Sequence, residues 1–279
     1  MSAKENFPVG SMLIRHDLRG IVHLFYRFAR AADDIADDVH LSKEDKLLRL
    51  AWHESGLDGD PDGSPDGRAL AALDRPEPAS HARQLLAAFR WDAGGGTCDT
   101  WSDLLAYCDD SANPVGRFLL DLHGESRAAW TMSDRLCTAL QVLNHLQDLK
   151  ADHLHLSRRY LPLVWMGEEG ARPEDLTAPA MSPALRRVVD RTLDRCDALL
   201  DGAEGLPASL ASRRLAGEAA SILWLARRLS ARLRRADPIA GRVAPSGSEF
   251  ARAGLVGAWA AMGPRGAARA LEPAGKERA

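Results

Sequence analysis

The sequence predicts an all-α fold, one bundle of packed helices. Three observations carry that expectation. Apolar residues recur at helical spacing, as in Ile21, Phe25, Phe28, Ala32, Ile35 and Val39. No stretch of useful length alternates apolar and polar residues as a half-buried strand does, and no strand-turn-helix unit appears. Capping residues, or Pro in a first helical turn, stand at the starts of several periodic segments. With 279 residues, 46% of them apolar, the chain can bury a sizeable core. A single domain over 1–262 is expected, with a disordered tail over 263–279 rich in Gly, Pro, Arg and Ala.

Taken in order, Asp17 is placed to cap a helix over 17–39, with the stripe above as its buried face. Ser42 is placed to cap the next, over 42–54, with Asp45 in the capping-box position. The Gly-, Pro- and Asp-rich stretch 55–67 reads as a flexible surface loop. A helix over 80–91 ends at Gly94, Gly95 and Gly96, and another spans 100–111. Asn113 and Pro114 signal a helix start for 113–122. Ser133 is placed to cap a long helix reaching 155, and the segment Arg159 to Pro162 ends it. Helices over 182–200, 206–235 and 248–262 complete the bundle, with Pro238 closing the second of these.

Composition excludes several function classes. A net charge of −3 leaves no polybasic footprint, so nucleic acid is not an expected partner. Cys98, Cys108, Cys137 and Cys196 have neither C-x-x-C nor zinc-like spacing and read as reduced thiols. The N-terminus lacks a signal-peptide pattern, and no apolar run approaches the ~20 residues that span a bilayer. A cytoplasmic protein is expected, with peripheral membrane contact left open. Gly94 to Gly96 lack the Gly-Lys-Ser/Thr of a phosphate loop and read as flexible. The Trp residues read as packing.

The chemistry concentrates in two acidic rows. Asp33, Asp34, Asp37 and Asp38 fall within six residues, inside an apolar helical pattern. Like charges so close are costly to bury without a cation. Tyr26, Arg30, Asp33 and Asp37 share one helix face. On the later helix, Gln141, Asn144, Asp148 and Asp152 form a second polar stripe beside Leu136, Leu140 and Leu143. Oxygen ligands without His or Cys suit a hard cation, and Mg²⁺ typically takes one or two carboxylates plus phosphate oxygens. A diphosphate bridged by Mg²⁺ is the expected ligand. Arg30 and Arg159 are placed to clamp it, and Tyr160 or Tyr26 to donate to it. D-x-x-x-D by itself is a weak signal, since it occurs eight times here, Asp58/Asp62 and Asp190/Asp194 among them. The doubled pair and the Asn144-headed pair stand out because apolar residues border them.

Tyr26, Arg30, Asp33, Asp34, Asp37 and Asp38, followed by Asn144, Asp148 and Asp152, resemble the two aspartate-rich motifs of squalene and phytoene synthases. Tyr107-Cys108, Gly116 and Arg159-Tyr160-Leu161-Pro162 are similar to further landmarks of that family. The segments 5–11, 111–117 and 144–148 resemble one branch, the bacterial hydroxysqualene synthases of hopanoid pathways. The resemblance implies an isoprenoid-synthase-like bundle with a central apolar cavity. It implies Mg²⁺-dependent ionisation of presqualene diphosphate and water capture of the rearranged cation, with no NADPH. Asp33, Asp37, Asp148 and Asp152 would hold about two or three Mg²⁺ ions, supported by Asp34, Asp38 and Asn144. Arg30, Arg159 and Tyr160 would bind diphosphate. Phe7, Tyr107, Val115, Gly116, Leu119 and Gln141 would line the chamber. Partners would be an isoprenoid diphosphate, pathway enzymes, and a membrane surface that takes up the lipid product.

The chain departs from the branch in three places. Ala93 to Cys98 lack its usual basic and aromatic residues, Asp109-Asp110 replace an Arg-Tyr-like pair, and Ala151 replaces an acidic residue. Two rival readings accompany the main one. One is head-to-head condensation of two farnesyl diphosphates to presqualene diphosphate. The other is a non-catalytic helical partner protein.

Overall fold

The computed structural model describes residues 15–262. Phe7 and the tail 263–279 therefore lie outside the described residues. Twelve α-helices run in order among them: α1 (Arg19–Asp37), α2 (Lys43–Leu57), α3 (Pro65–Ala71), α4 (Glu77–Ala93), α5 (Trp101–Ser111), α6 (Asn113–Leu122), α7 (Trp130–Leu156), α8 (Leu163–Glu169), α9 (Pro183–Ala203), α10 (Leu206–Ser209), α11 (Arg213–Leu233) and α12 (Gly247–Met262). No strand forms among the described residues, although Thr97 and Arg159 make one isolated parallel bridge.

Side-chain caps fix many helix starts. Ser42, Thr100, Ser182 and Ser212 each accept from the backbone N–H three residues on, satisfying a donor that no earlier turn can reach. Thr100 and Asp103 close a full capping box.

Several expectations are corrected. Asp17 pairs with Arg15 instead of capping α1, which grows out of a 3₁₀ turn over His16–Leu18. Val39 lies past the end of α1 and is 63% exposed. Ser133 is buried inside α7, which starts at Trp130 after a 3₁₀ turn over Arg127–Ala129. The expected helix over 206–235 is broken because the Glu125 carboxylate accepts from the N–H groups of Ala211 and Ser212, both at 2.7 Å.

The stretch 55–67 is not a flexible loop. It holds the end of α2 and the start of α3, whose cap is the buried Ser64. Its glycines permit contact: a Cβ on Gly56 would lie 2.6 Å from the Ser64 carbonyl oxygen, and one on Gly63 would lie 2.3 Å from the Gly56 nitrogen.

The core has two parts. The smaller gathers Val22, Phe25, Phe28 and Ala32 of α1 with Leu85 and Leu86 of α4 and Phe118 of α6. Phe25 stacks on Phe118 with ring centres 3.9 Å apart. The larger gathers α7, α9 and α11, through residues such as Leu136, Leu143, Leu193 and Leu229. All four cysteines are free, and Cys98, Cys108 and Cys196 are buried. Trp101 and Trp165 stack in packing roles, whereas Trp52 and Trp259 are about half exposed. No helix among the described residues is long and apolar enough to cross a membrane.

Candidate functional site

The first acidic row closes α1, and the second lies along the C-terminal half of α7. Apolar periodicity sets both placements, since Phe28 and Ala32 turn inward on α1, as do Leu143, Leu146 and Leu149 on α7. Each row stays beside the core without entering it, and Asp33, Asp37, Asn144, Asp148 and Asp152 are all half-buried.

On α1, Arg30 reaches Asp33 and Asp34, each at 3.1 Å. Asp33 keeps 36% of its side-chain surface. Lost hydration, with the Asp37 charge adding to it, still pushes its carboxyl up to about 7 from an ordinary 3.8. Asp38 caps the end of α1, and its side chain accepts from the His40 N–H at 2.8 Å. On α7, Asp148 lies 3.4 Å from the Arg242 guanidinium, and Asp152 lies 3.8 Å from Nδ1 of His145.

Between the rows sits a cluster that joins the expected Tyr107 and Tyr160 to two residues that sequence reasoning missed, Asp92 and Arg158. Asp92, near the end of α4, is 6% exposed. Its carboxylate accepts from the Tyr107 hydroxyl at 2.9 Å and the Tyr160 hydroxyl at 2.7 Å. Arg158, buried beside it, places Nε 3.6 Å from the same carboxylate and donates to the Asp92 carbonyl at 3.3 Å. The remaining guanidinium nitrogens reach α1, donating to the Asp37 carboxylate at 2.7 Å and the Ala36 carbonyl at 2.9 Å. Burial raises the Asp92 carboxyl, against the pull of Arg158 and the two hydroxyls. Burial and the Asp92 charge hold both tyrosine hydroxyls well above their ordinary range. Tyr160 also stacks on His145, with ring centres 3.5 Å apart. A continuous path therefore runs from Asp37 through Arg158, Asp92, Tyr160 and His145 to Asp152.

Backbone pairing fixes this arrangement. The Arg159 carbonyl accepts from Cys98, and the carbonyls of Cys98 and Asp99 accept from the first N–H groups of α8. Gly96 packs on Trp91, where a Cβ would come 2.2 Å from the ring. The expected flexibility of Gly94 to Gly96 is thus corrected: Gly95 turns the chain at φ +72°, and Gly96 allows the close approach. Asp109 and Asp110 are also engaged. Asp109 accepts from Arg117 at 2.8 Å and Asn113 at 3.1 Å, and Asp110 from Gln84 at 3.3 Å.

The other expected residues are placed as follows. Tyr26 is half-buried on α1, two turns before the acidic end, and Gln141 is half-buried one turn before Asn144 on α7. Tyr107 joins the Asp92 cluster, while Val115 and Leu119 pack against the smaller core. Gly116 faces α7, where a Cβ would meet the Ser133 oxygen at 2.5 Å. Arg159 borders a small hollow with Asp152, Tyr160 and Leu176. Its Nε is buried without a hydrogen-bond partner.

The donor set fits a hard divalent cation in chemistry. It is made of carboxylates, and burial with the neighbouring Asp37 charge makes one of them, Asp33, resist ionisation although Arg30 lies beside it. Among the described residues no three of His, Cys, Asp or Glu converge into a closed cage. The unpaired Arg159 Nε suits an anion beside it.

Comparison with known proteins places this geometry in context. The sequence model of squalene/phytoene synthase matches residues 2–249. Hydroxysqualene synthase of Zymomonas mobilis is 41% identical over 86% of this chain and 82% of its own. The enzyme of that name from Sinorhizobium fredii is 40% identical over 87% and 84%. The crystal structure of a squalene synthase from Alicyclobacillus acidocaldarius superposes with a TM-score of 0.71 at 32% identity, covering 81% of this chain and 87% of that one. A ligand-bound dehydrosqualene synthase shares the fold, with a TM-score of 0.74 at 20% identity and 88% of each chain covered.

Proposed function

Because the chain belongs to the squalene/phytoene synthase family, we propose that it is a hydroxysqualene synthase acting on presqualene diphosphate. The carbon–oxygen bond to diphosphate breaks, and the electron pair leaves with the diphosphate. The cyclopropylcarbinyl cation rearranges, water adds to it, and a proton is lost to solvent or to the released diphosphate. The net reaction consumes one water and needs no reductant, so NADPH has no part in it. The observation that carries the reading is the pair of acidic rows joined across Arg158, Asp92, Tyr160 and His145, in a chain about 40% identical to named hydroxysqualene synthases.

In this reading Asp33, Asp37, Asp148 and Asp152 hold Mg²⁺, with Asp34, Asp38 and Asn144 in support. Bound there, Mg²⁺ supplies Lewis-acid stabilisation of the departing diphosphate. Arg30 and Arg159 neutralise diphosphate oxygens, and arginine's planar fork suits that geometry. Tyr107 and Tyr160 donate hydrogen bonds to Asp92, so the Tyr160 hydroxyl proton is committed there and not to diphosphate, and their rings would serve to stabilise a passing cation. Apolar residues beside them restrict water to the step that consumes it. A cytoplasmic location, with peripheral contact to the membrane that receives the lipid, accompanies the reading, as do pathway enzymes as partners.

The test is incubation of the purified protein with Mg²⁺ and either presqualene or farnesyl diphosphate, followed by identification of the lipid product by mass spectrometry. Hydroxysqualene from presqualene diphosphate, lost in Asp148→Ala, is the expected result. Presqualene diphosphate accumulating from farnesyl diphosphate would establish condensation instead. Turnover of neither substrate would leave a non-catalytic helical partner protein.

A further inference from the structure

We propose that Asp92 is a positioning residue that holds the two acidic rows in register for a magnesium–diphosphate complex. The inference rests on the proposed function and assigns a task to a residue outside both aspartate motifs.

The argument begins with cost. A carboxylate buried to 6% exposure loses its hydration, and nearby apolar packing offers nothing in return. Asp92 retains a place there through three polar partners, and each leads somewhere different. Arg158 leads to the first row, with bonds to Asp37 and Ala36 at the end of α1. Tyr160 leads to the second row, through its stack on His145 beside Asp152. Tyr107 leads to α5, and its ring lies 5.1 Å from that of Tyr160.

The rows themselves belong to different cores, α1 to the smaller and α7 to the larger. Apolar packing therefore fixes each row within its own half, and the polar path through Asp92 spans the interval between them. Side chains that orient ligands through hydrogen bonds commonly govern metal affinity without touching the metal. Asp92 has that relation to Asp37, one bridging side chain away. On the Asp152 side two side chains intervene.

The test measures binding, apart from turnover. Mg²⁺ is titrated calorimetrically into the full-length protein with inorganic pyrophosphate present, for wild type, Asp92→Asn and Tyr160→Phe. Circular dichroism confirms that each variant is folded at the temperature used. Asp92→Asn keeps the side chain's shape, and Tyr160→Phe keeps the Asp92 charge while cutting its link to the second row. The expected result is that each variant raises the Mg²⁺ concentration for half-saturation by about tenfold or more. A purely structural role would leave the folded protein binding like wild type, and a smaller rise in folded Asp92→Asn overturns the proposal. If Asp92→Asn does not fold, Tyr160→Phe decides in the same way. Wild type that fails to bind magnesium pyrophosphate overturns the parent reading and this one together. Wild type that binds alongside unimpaired variants overturns this one alone.

Discussion

The two acidic rows make an instructive contrast. On α1 four carboxylates crowd one end of a helix, and Asp33 holds its proton up to about pH 7. Arg30 of the same helix answers Asp33 and Asp34, and the cation that answers Asp37, Arg158, is buried and comes from 121 residues away. On α7 the carboxylates are spaced a full turn apart, and Asp148 meets the half-exposed Arg242 instead. One row is under electrostatic stress and stapled from outside. The other is spread along the longest helix and carried by its packing. The difference shows how two copies of one sequence pattern, D-x-x-x-D, acquire different physics from the half of the core beneath them.

The contrast yields predictions in descending size. If the two rows act on one ligand despite their differences, Asp33→Ala and Asp148→Ala should each cut product formation by about a hundredfold or more. Mass-spectrometric product assays would show a deficit at only one row if they act separately. Removing the staples should separate the rows by stability. Arg158→Ala strands the buried Asp92 carboxylate and should cost about 3–5 kcal/mol in urea unfolding. A loss under 1 kcal/mol would mean that the α1 row needs no staple.

The third prediction concerns pH. Folded Asp33 keeps its proton to about pH 7, whereas an unfolded aspartate releases it near 4. Between those values unfolding releases a proton, so rising pH favours the unfolded chain. This contribution is therefore most favourable below about pH 4 and is lost as pH rises through about 7. Thermal melts of metal-free wild type and Asp33→Asn should diverge across that window, with the variant gaining relative stability as pH rises. Parallel curves would remove the stress assigned to this row. The smallest effect belongs to Arg242→Ala, which should change unfolding free energy by no more than about 1 kcal/mol, as half-exposed pairs do. A larger loss would show that the α7 row is stapled as firmly as its counterpart.

Much of this was readable from sequence. The helical period located α1 and α7, and Ser42, Ser182 and Asn113-Pro114 marked helix starts that the structure retains. What escaped was whatever depends on distant partners. Asp92 looks like one more aspartate among many, because its tyrosines lie 15 and 68 residues downstream. Arg158 was passed over for its neighbour Arg159, since nothing local says which of two adjacent arginines turns inward. Glycine was misread twice: at 55–67 and 94–96 it serves close packing, and composition alone does not distinguish close packing from slack. A signal for Asp92 did exist, as an acidic residue at the end of an apolar helix with no basic neighbour at i±4.

The pairing of 96–99 with 159–164 has one more consequence. Its hydrogen bonds join main chain to main chain, so apart from Gly96, whose missing Cβ makes room for Trp91, the strap holds without help from the side chains it carries. It also turns the amide protons of Cys98, Leu163 and Val164 into reporters. They lie outside helix interiors, yet each is tied to a carbonyl across the strap, and their deuterium uptake would time how often the strap opens.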